Sequence, residues 1–262
     1  MKIQVRGTAT FIYTGADEIT SGKQTVVFVH GASLDHTVWT LPARYFVRHG
    51  YNVVSVDLPG HGLSGGSPLP KIEQYADWLI ELLDALKIKQ AAIVGHSMGS
   101  LIALDCAGRY TDRVRALALV GTAVPMPVTE QLLNSALENN HAAIEILTQW
   151  GHSPQAHFGG NETPGMWMIA GLMRLFERGA KGVLYNDLNA CNIYTGGEQA
   201  AQNVRCPTRF ILGENDMLTP VRAARNLAEK ILHAQVDVLQ QAGHTIMSEK
   251  PNSLLNSLIK IV

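Results

Sequence analysis

A serine, an acidic residue and a histidine in this sequence have types and spacing that could carry out acyl chemistry. Ser97 lies in GHSMG (95–99), which matches the pattern G-x-S-x-G. The preceding AAIV is typical of a buried strand and the following LIALDCAGRY of a helix. A sharp turn between them needs glycine two positions before and after the serine, because larger side chains would collide with strand or helix. The pattern in this context predicts that Ser97 is a nucleophile.

The same five-residue pattern occurs a second time, at GLSGG (62–66). This copy lies within LPGHGLSGGSPLP, a run of Gly, Pro and Ser without a helix directly behind it. Such composition is typical of an irregular loop. We therefore interpret Ser64 as a loop serine.

The nucleophile needs a general base, and the base needs a carboxylate that orients it. In a strand–turn–helix serine site these partners follow in the order acid, then histidine. Asp216 ends the predicted strand in LGEND and is the preferred acid, with Glu214 as second choice. Asp237 is disfavoured because it falls inside a predicted strand.

Two histidines follow Asp216 in the sequence. His244 comes after the last predicted strand, in the loop QQAGH, whereas His233 falls near the end of a predicted helix. His244 is therefore the predicted base.

Backbone amides are the predicted donors to a developing oxyanion. One is the amide of Met98, directly after the serine, and the other is that of Ala32, in the turn HGAS (30–33) after a buried strand. His30 and His61 are expected to brace loops through hydrogen bonds.

Apolar side chains are candidates for a substrate pocket, although each could equally belong to the core. The predicted substrate-binding residues are Trp39, Met126, Trp150 and Trp167. Arg174 and Arg178 share a helix face and are expected to be solvated, so neutral substrates are favoured over dicarboxylic ones. The spacing of His141, His152 and His157 does not fit a helical metal-ligand pair, and neither a metal nor a cofactor is expected.

The order of apolar segments predicts the fold class. A nearly continuous apolar run at 25–31 predicts a strand covered on both faces, and further strands are predicted at 51–57, 91–94, 114–121 and 206–216. These strands alternate with helical patterns, which indicates an α/β protein with a mainly parallel central sheet flanked by helices. Residues 123–200 lack a convincing buried strand and include a turn-rich stretch at 151–165. The predicted domains are a core of residues 1–122 and 201–262 and an inserted helical cap of residues 123–200.

Composition limits the classes of partner. The 262 residues carry a formal net charge of −1, which gives no electrostatic reason to expect nucleic acid or an anionic membrane. MKIQVRGTAT has no signal-peptide core, and three widely spaced cysteines are typical of free thiols, so a cytoplasmic location is expected. The oligomeric state stays open, a homodimer included.

Five short motifs resemble the α/β-hydrolase superfamily over essentially the full chain: VHG (29–31), DLPGHGLS (57–64), GHSMG (95–99), LGEND (212–216) and AGH (242–244). Within it the sequence is similar to capped single-domain serine esterases, enol-lactone hydrolases and cofactor-free haloperoxidase-like enzymes. Ser97 argues against the dehalogenase and epoxide hydrolase branches, which have aspartate at that position.

The predicted function is a serine hydrolase that cleaves small to medium apolar carboxylic esters through an acyl-enzyme on Ser97. A lactone or thioester hydrolase would use the same machinery with a different cap. A ligand receptor with slow turnover and a perhydrolase that uses peroxide are further alternatives.

Overall fold

The computed structural model describes residues 1–15, 18–160, 162 and 165–262, and its centre is one eight-stranded sheet. Residues 161, 163 and 164 of the turn-rich stretch predicted at 151–165 lie outside the described residues. The strands are β1 (Lys2–Val5), β2 (Thr8–Tyr13), β3 (Thr25–Val29), β4 (Asn52–Val56), β5 (Ala91–His96), β6 (Val114–Val120), β7 (Thr208–Gly213) and β8 (Gln235–Leu239).

The strand order is β1-β2-β4-β3-β5-β6-β7-β8. β1 and β2 pair antiparallel, and β2 also pairs antiparallel with β4. All pairs from β4 to β8 are parallel. The predicted α/β class with a mainly parallel sheet is confirmed, and the carboxyl ends of β3, β5, β6 and β7 lie along one edge.

Helices cover both faces of this sheet, and the strands are apolar on both sides for that reason. Val27, Ile93 and Leu117 face one core with α2 (Ile72–Ala85) and α3 (Met98–Arg109). Phe28 and Val94 face a second core with α1 (Thr40–Arg48) and the carboxyl-terminal helices. The alternation along each strand sends neighbouring side chains to opposite cores.

Between β6 and β7 the described residues contain helices and no strand. The predicted boundary at residue 200 falls inside the last of them, whose Ala200 packs closely on Gly108 of α3. The helices are α4 (Glu130–Leu137), α5 (His141–Trp150), α6 (Pro154–His157), α7 (Met168–Glu177), α8 (Val183–Ile193) and α9 (Gly197–Asn203); after β7 come α10 (Val221–Ala228), α11 (Ile246–Glu249) and α12 (Pro251–Ile259).

Two observations bear on the environment of the protein. Among the described residues no helix is both long enough and apolar enough to cross a membrane. Cys106, Cys191 and Cys206 are free thiols, the first two buried.

The turn between β5 and α3 depends on two close backbone approaches. A Cβ on Gly95 would lie 2.1 Å from the carbonyl oxygen of Gly99. A Cβ on Gly99 would lie 2.4 Å from the carbonyl oxygen of Val29, at the end of β3. Both distances are far below contact distance, so these positions accept no side chain without movement of the backbone.

The glycine requirement can be tested by stability. Gly95→Ala should lower the free energy of unfolding by about 3 kcal/mol or more, because the clash involves backbone atoms at the centre of the sheet. Gly171→Ala is the matched control: a Cβ there meets no atom within 4 Å inside α7, so it should stabilise by about 0.5–1 kcal/mol. Chemical denaturation of both variants measures the difference, and equal stability of Gly95→Ala and the wild type would contradict the account.

Candidate active site

Ser97 sits at the junction of β5 and α3, at the carboxyl edge of the sheet. Its backbone has φ 53° and ψ −120°, a strained conformation for a residue with a side chain. The Ser97 amide donates to the carbonyl oxygen of Val120 at 3.0 Å, which ties the turn to β6. The hydroxyl of Ser100 donates to the Ser97 carbonyl at 2.5 Å and also reaches Thr122 Oγ1 at 2.8 Å. Hydrogen bonds to β6 and to the first turn of α3 therefore hold this turn in place.

His244 and Asp216, which are 28 residues apart, lie in direct contact. Nδ1 of His244 donates to Asp216 Oδ2 at 2.8 Å, and both side chains are buried. The other oxygen of Asp216 accepts the amides of Leu218 and Thr219. A proton on Nδ1 leaves Nε2 of His244 as the ring nitrogen that can accept one.

Thr219 is a member of this group that the sequence reasoning missed. Its hydroxyl donates to Asp216 Oδ2 at 2.6 Å and lies 3.2 Å from His244 Nδ1. Burial alone would raise the pKa of Asp216, but the charge of His244 and hydrogen bonds from His244 and Thr219 outweigh it and lower the pKa. A threonine three residues after an aspartate, where its amide caps the carboxylate, was the available signal.

The loop that carries His244 is anchored to the segment between β6 and β7. The amides of His244 and Thr245 both donate to the Gly151 carbonyl at 2.9 Å. The buried carboxylate of Glu249 accepts the amides of Gly243 and of Ser153. Ser97 and His244 line the same cavity. Their side chains share no hydrogen bond among the described contacts, and contacts of this kind commonly tighten when substrate binds.

The rival acid and base candidates lie elsewhere. Glu214 accepts the amide of Gln241, and Asp237 pairs with Arg209 across β7 and β8. His233 is exposed after α10. Of the acids and bases considered, the structure brings together only Asp216 and His244.

The side chain of Ser64 forms two hydrogen bonds with the backbone. Its hydroxyl donates to the Asp57 carbonyl at 2.7 Å and accepts the Phe11 amide at 2.8 Å. These bonds hold the 57–66 loop against β2.

Hydrogen bonds within the loop after β3, residues 30–34, and to the loop after β4 hold its first residues in place. The Gly31 carbonyl accepts Nδ1–H of His30 at 2.8 Å and the Leu34 amide at 3.2 Å. Nε2 of His30 accepts the Leu58 amide, so the ring is neutral, and burial lowers its pKa to about 4. Because a trans peptide points its C=O and N–H in opposite directions, these bonds also set the direction of the Ala32 N–H.

Met98 opens α3, and its side chain is buried in the core. The first amides of a helix have no intrahelical acceptor, so the Met98 N–H is available at the turn. Gly31 approaches this turn closely, since a Cβ there would lie 3.2 Å from Ser97 Cβ and 3.0 Å from His96 Nδ1.

His96 is a second residue to which the sequence pattern assigned no role. Its Nε2 donates to the His244 carbonyl at 3.0 Å, and the two rings lie 4.7 Å apart. Burial, followed by the nearby His244, lowers the pKa of His96 to about 3, so the ring is neutral. His96 thus links the serine turn to the histidine loop.

A cavity of about 180 Å³ opens beside Ser97 and His244. Met126 and Trp150 line it, together with Ala32 of the 30–34 loop. Further apolar walls come from Leu132, Leu147, Phe176 and Leu188. Among the described residues that line it there is no Asp, Glu, Lys or Arg.

Two of the predicted substrate-binding residues lie outside this cavity. Trp39 is fully buried in the core, with its ring 5.2 Å from that of Phe28, because the strand face opposite it is apolar. Trp167 is 74% exposed and lines a separate cavity of about 430 Å³ with Met166 and Met168. α7 is only partly covered, so its apolar side chains face this second cavity as well as the first.

The two arginines also stay outside the cavity. Arg174 is exposed and pairs with Glu177 on its own helix. Arg178 pairs with Asp35 and lines a different surface cavity.

One group of side chains has the composition of a metal site, namely Asp35, His36 and Asp57. Asp57 already accepts both the amide and Nδ1 of His36, and its other oxygen accepts the Leu63 amide. Asp35 accepts the Thr37 amide and pairs with Arg178. Hydrogen bonds between loops account for this arrangement.

Several hydrolases resemble this chain over most of its length, two in sequence and one in structure. A (E)-2-((N-methylformamido)methylene)succinate hydrolase from Acinetobacter baylyi is 24% identical over 235 residues, covering 87% of this chain and 86% of that protein. A pimeloyl-[acyl-carrier protein] methyl ester esterase from Chromobacterium violaceum is 30% identical over 234 residues, covering 84% and 86%. The enol-lactonase from Burkholderia xenovorans LB400 superposes with a TM-score of 0.87 at 22% identity, covering 99% of this chain and 98% of that one.

The model of one protein family, described as the alpha/beta hydrolase family, matches residues 26–257. This match spans every strand from β4 to β8 and the turn that carries Ser97. The chain therefore belongs to the alpha/beta hydrolase family and is a hydrolase of that fold.

Proposed function

We propose that the protein hydrolyses neutral carboxylic esters with small to medium apolar groups, through an acyl-enzyme on Ser97. The observation that carries the proposal is the shared cavity: Ser97, in a strained turn, and the His244–Asp216 pair open onto one apolar space. A hydroxyl, a base with a fixed tautomer and an ionised orienting carboxylate are the parts that acyl transfer requires.

In the first half-reaction, Ser97 Oγ attacks the ester carbonyl carbon while Nε2 of His244 takes the hydroxyl proton. The amides of Ala32 and Met98 donate to the oxyanion of the tetrahedral intermediate. His244 returns the proton to the alcohol oxygen as the C–O bond breaks, which leaves Ser97 acylated. Asp216 stabilises the imidazolium throughout.

In the second half-reaction, water attacks the acyl carbon and gives its proton to His244. The same two amides hold the second oxyanion. Ser97 leaves with the proton from His244, and the carboxylic acid departs. No step needs a cofactor.

The walls of the cavity favour neutral, apolar substrates. In this proposal residues 123–200 act as a cap and supply Met126, Leu132, Trp150 and Leu188. Burial of apolar substrate surface on such walls gives about 25 cal/mol per Å². A substrate carboxylate would have no cation to meet among the described lining residues.

A lactone or thioester hydrolase is the alternative within the same chemistry. The fold likeness to an enol-lactonase is compatible with this alternative. The relative from Acinetobacter baylyi is named for a succinate substrate, which bears carboxylates, and the described lining of this cavity has no cation to bind one. A slow ligand receptor would keep the cavity and bind without turnover. A cytoplasmic location stays a prediction.

The two serines with the same local pattern provide a matched test. Ser97→Ala should lower kcat for p-nitrophenyl butyrate by a factor of about 10⁵ or more and abolish labelling by a fluorophosphonate probe. Ser64→Ala, which changes a loop serine with structural bonds, should keep most activity. Equal loss of activity per folded molecule in both variants would refute the assignment of Ser97.

The acid and the base can be separated from their rivals in the same assay. Asp216→Asn should lower kcat by about 10⁴, because the wrong tautomer of His244 is then favoured, and His244→Ala should lower it at least as far. Glu214→Gln and His233→Ala are the controls and should be nearly silent. A large loss in Glu214→Gln with an active Asp216→Asn would place the acid elsewhere.

Substrate charge tests the cavity. The ratio kcat/KM should be at least about 100-fold higher for a neutral ester than for a matched ester with a terminal carboxylate, since an unpaired buried carboxylate costs several kcal/mol. Steady-state kinetics on such a pair measures the ratio. A preference for the anionic ester that is lost in Arg174→Ala or Arg178→Ala would favour an acid-recognising hydrolase instead.

A further inference from the structure

A buried carboxylate lies next to the proposed site but outside the Ser97–His244–Asp216 set. Asp187, on α8, is fully buried. Its Oδ2 accepts the amide of Ser33 at 2.8 Å and lies 2.7 Å from Nε2 of His61. Its Oδ1 accepts the hydroxyl of Tyr75 at 3.1 Å and the side-chain amide of Asn186 at 3.2 Å. One carboxylate thus joins α8, α2 and the loops after β3 and β4.

This carboxylate is charged despite its burial. Burial would raise the pKa of Asp187, but the charge and hydrogen bond of His61 lower it below its ordinary value. Burial would likewise lower the pKa of His61, but Asp187 raises it. Separating the partners of a buried ion pair leaves an uncompensated charge and is strongly destabilising. The Asp187–His61 contact therefore keeps the Asp187 carboxylate in one position.

The amide that Asp187 holds belongs to a strained residue. Ser33 has φ 54°, in the left-handed region that a non-glycine residue occupies at a cost of about 1–3 kcal/mol. Such a conformation persists only when surrounding contacts enforce it. The Ser33 amide is bound by Asp187, and the peptide before Ala32 is bound through the Gly31 carbonyl. Each of the two peptides that flank Ala32 is therefore held by a hydrogen bond.

We propose that Asp187 is a positioning residue that holds Ser33 in its strained conformation and so aims the Ala32 N–H at the oxyanion. The inference rests on the proposed function, because it takes Ala32 as a donor. It assigns a catalytic contribution to the segment between β6 and β7 beyond the lining of the cavity. Loss of this contact should weaken transition-state binding while ground-state binding of the ester stays the same.

Asp187→Ala and Asp187→Asn test the proposal, with Asp105→Asn as matched control. Asp105 is also buried and also bonds across to the end of α8, through Tyr194 at 2.9 Å, but it lies on α3 away from the 30–34 loop. Asp187→Ala should lower kcat about 10–100-fold, part of the loss for a missing oxyanion donor, with KM within about twofold. Asp187→Asn keeps one acceptor oxygen and should recover part of kcat. Asp105→Asn should change kcat by less than about threefold.

Two further readouts separate positioning from general damage. The inhibition constant of a trifluoromethyl ketone, which forms an oxyanion on a serine, should rise in Asp187→Ala by the same factor as kcat/KM falls. Amide hydrogen exchange at Ser33 should accelerate at least about tenfold in Asp187→Asn and stay unchanged in Asp105→Asn. If Asp187→Ala does not fold, Asp187→Asn decides both measurements.

Unchanged kcat in the Asp187 variants, a loss confined to KM, or equal losses in Asp105→Asn would overturn the inference. A wild-type protein that does not hydrolyse esters would instead overturn the proposed function. Hydrogen exchange at Ser33 would still decide whether Asp187 holds the loop.

Discussion

The backbone of Ser97 is the constraint on which the rest of the structure depends. A positive φ at a residue with a side chain costs about 1–3 kcal/mol and must be enforced by the surroundings. Here Gly95 packs against the Gly99 carbonyl and Gly99 packs against the end of β3, so neither position has room for a side chain. The packing of the central strands offsets this strain, because they are buried on both faces and cannot shift without opening both cores.

The loops around Ser97 are held by polar contacts from the segment between β6 and β7. Gly151 binds the His244 loop directly, Ser153 binds it through Glu249, and Asp187 binds the loop of Ala32. The same segment lines the cavity through Met126 and Trp150. Substitutions in this segment that change the substrate preference would therefore also change the geometry of the proposed catalytic groups.

Much of this arrangement follows from the sequence, because its signals are local. Glycines two positions on either side of Ser97 report a steric requirement within five residues, and the apolar runs report strands covered on both faces. The preference for Asp216 over Glu214 depends on the turn that follows LGEND, and the preference for His244 over His233 depends on its place in a loop after the last predicted strand. The position of Trp39 in the core could not be predicted, since an aromatic residue in a loop after a strand has the same local pattern whether it faces a core or a cavity.

Contacts between distant segments could not be predicted from the sequence. Asp187 reaches Ser33 and His61 across more than 120 residues, and nothing near it in the chain distinguishes a buried carboxylate from a solvated one. The same holds for Trp167, whose exposure depends on where α7 lies. Thr219 is an intermediate case, since its hydrogen bond to Asp216 is local but its approach to His244 is not.

Detection of the acyl-enzyme tests the central claim most directly. The protein is mixed with a neutral p-nitrophenyl ester, quenched in acid within milliseconds and examined by mass spectrometry, intact and after trypsin digestion. The account predicts a mass increase of one acyl group, on Ser97 within the tryptic peptide 90–109, formed and lost at rates compatible with turnover. Sustained turnover without an adduct on Ser97, or with the acyl group on another residue, would contradict it.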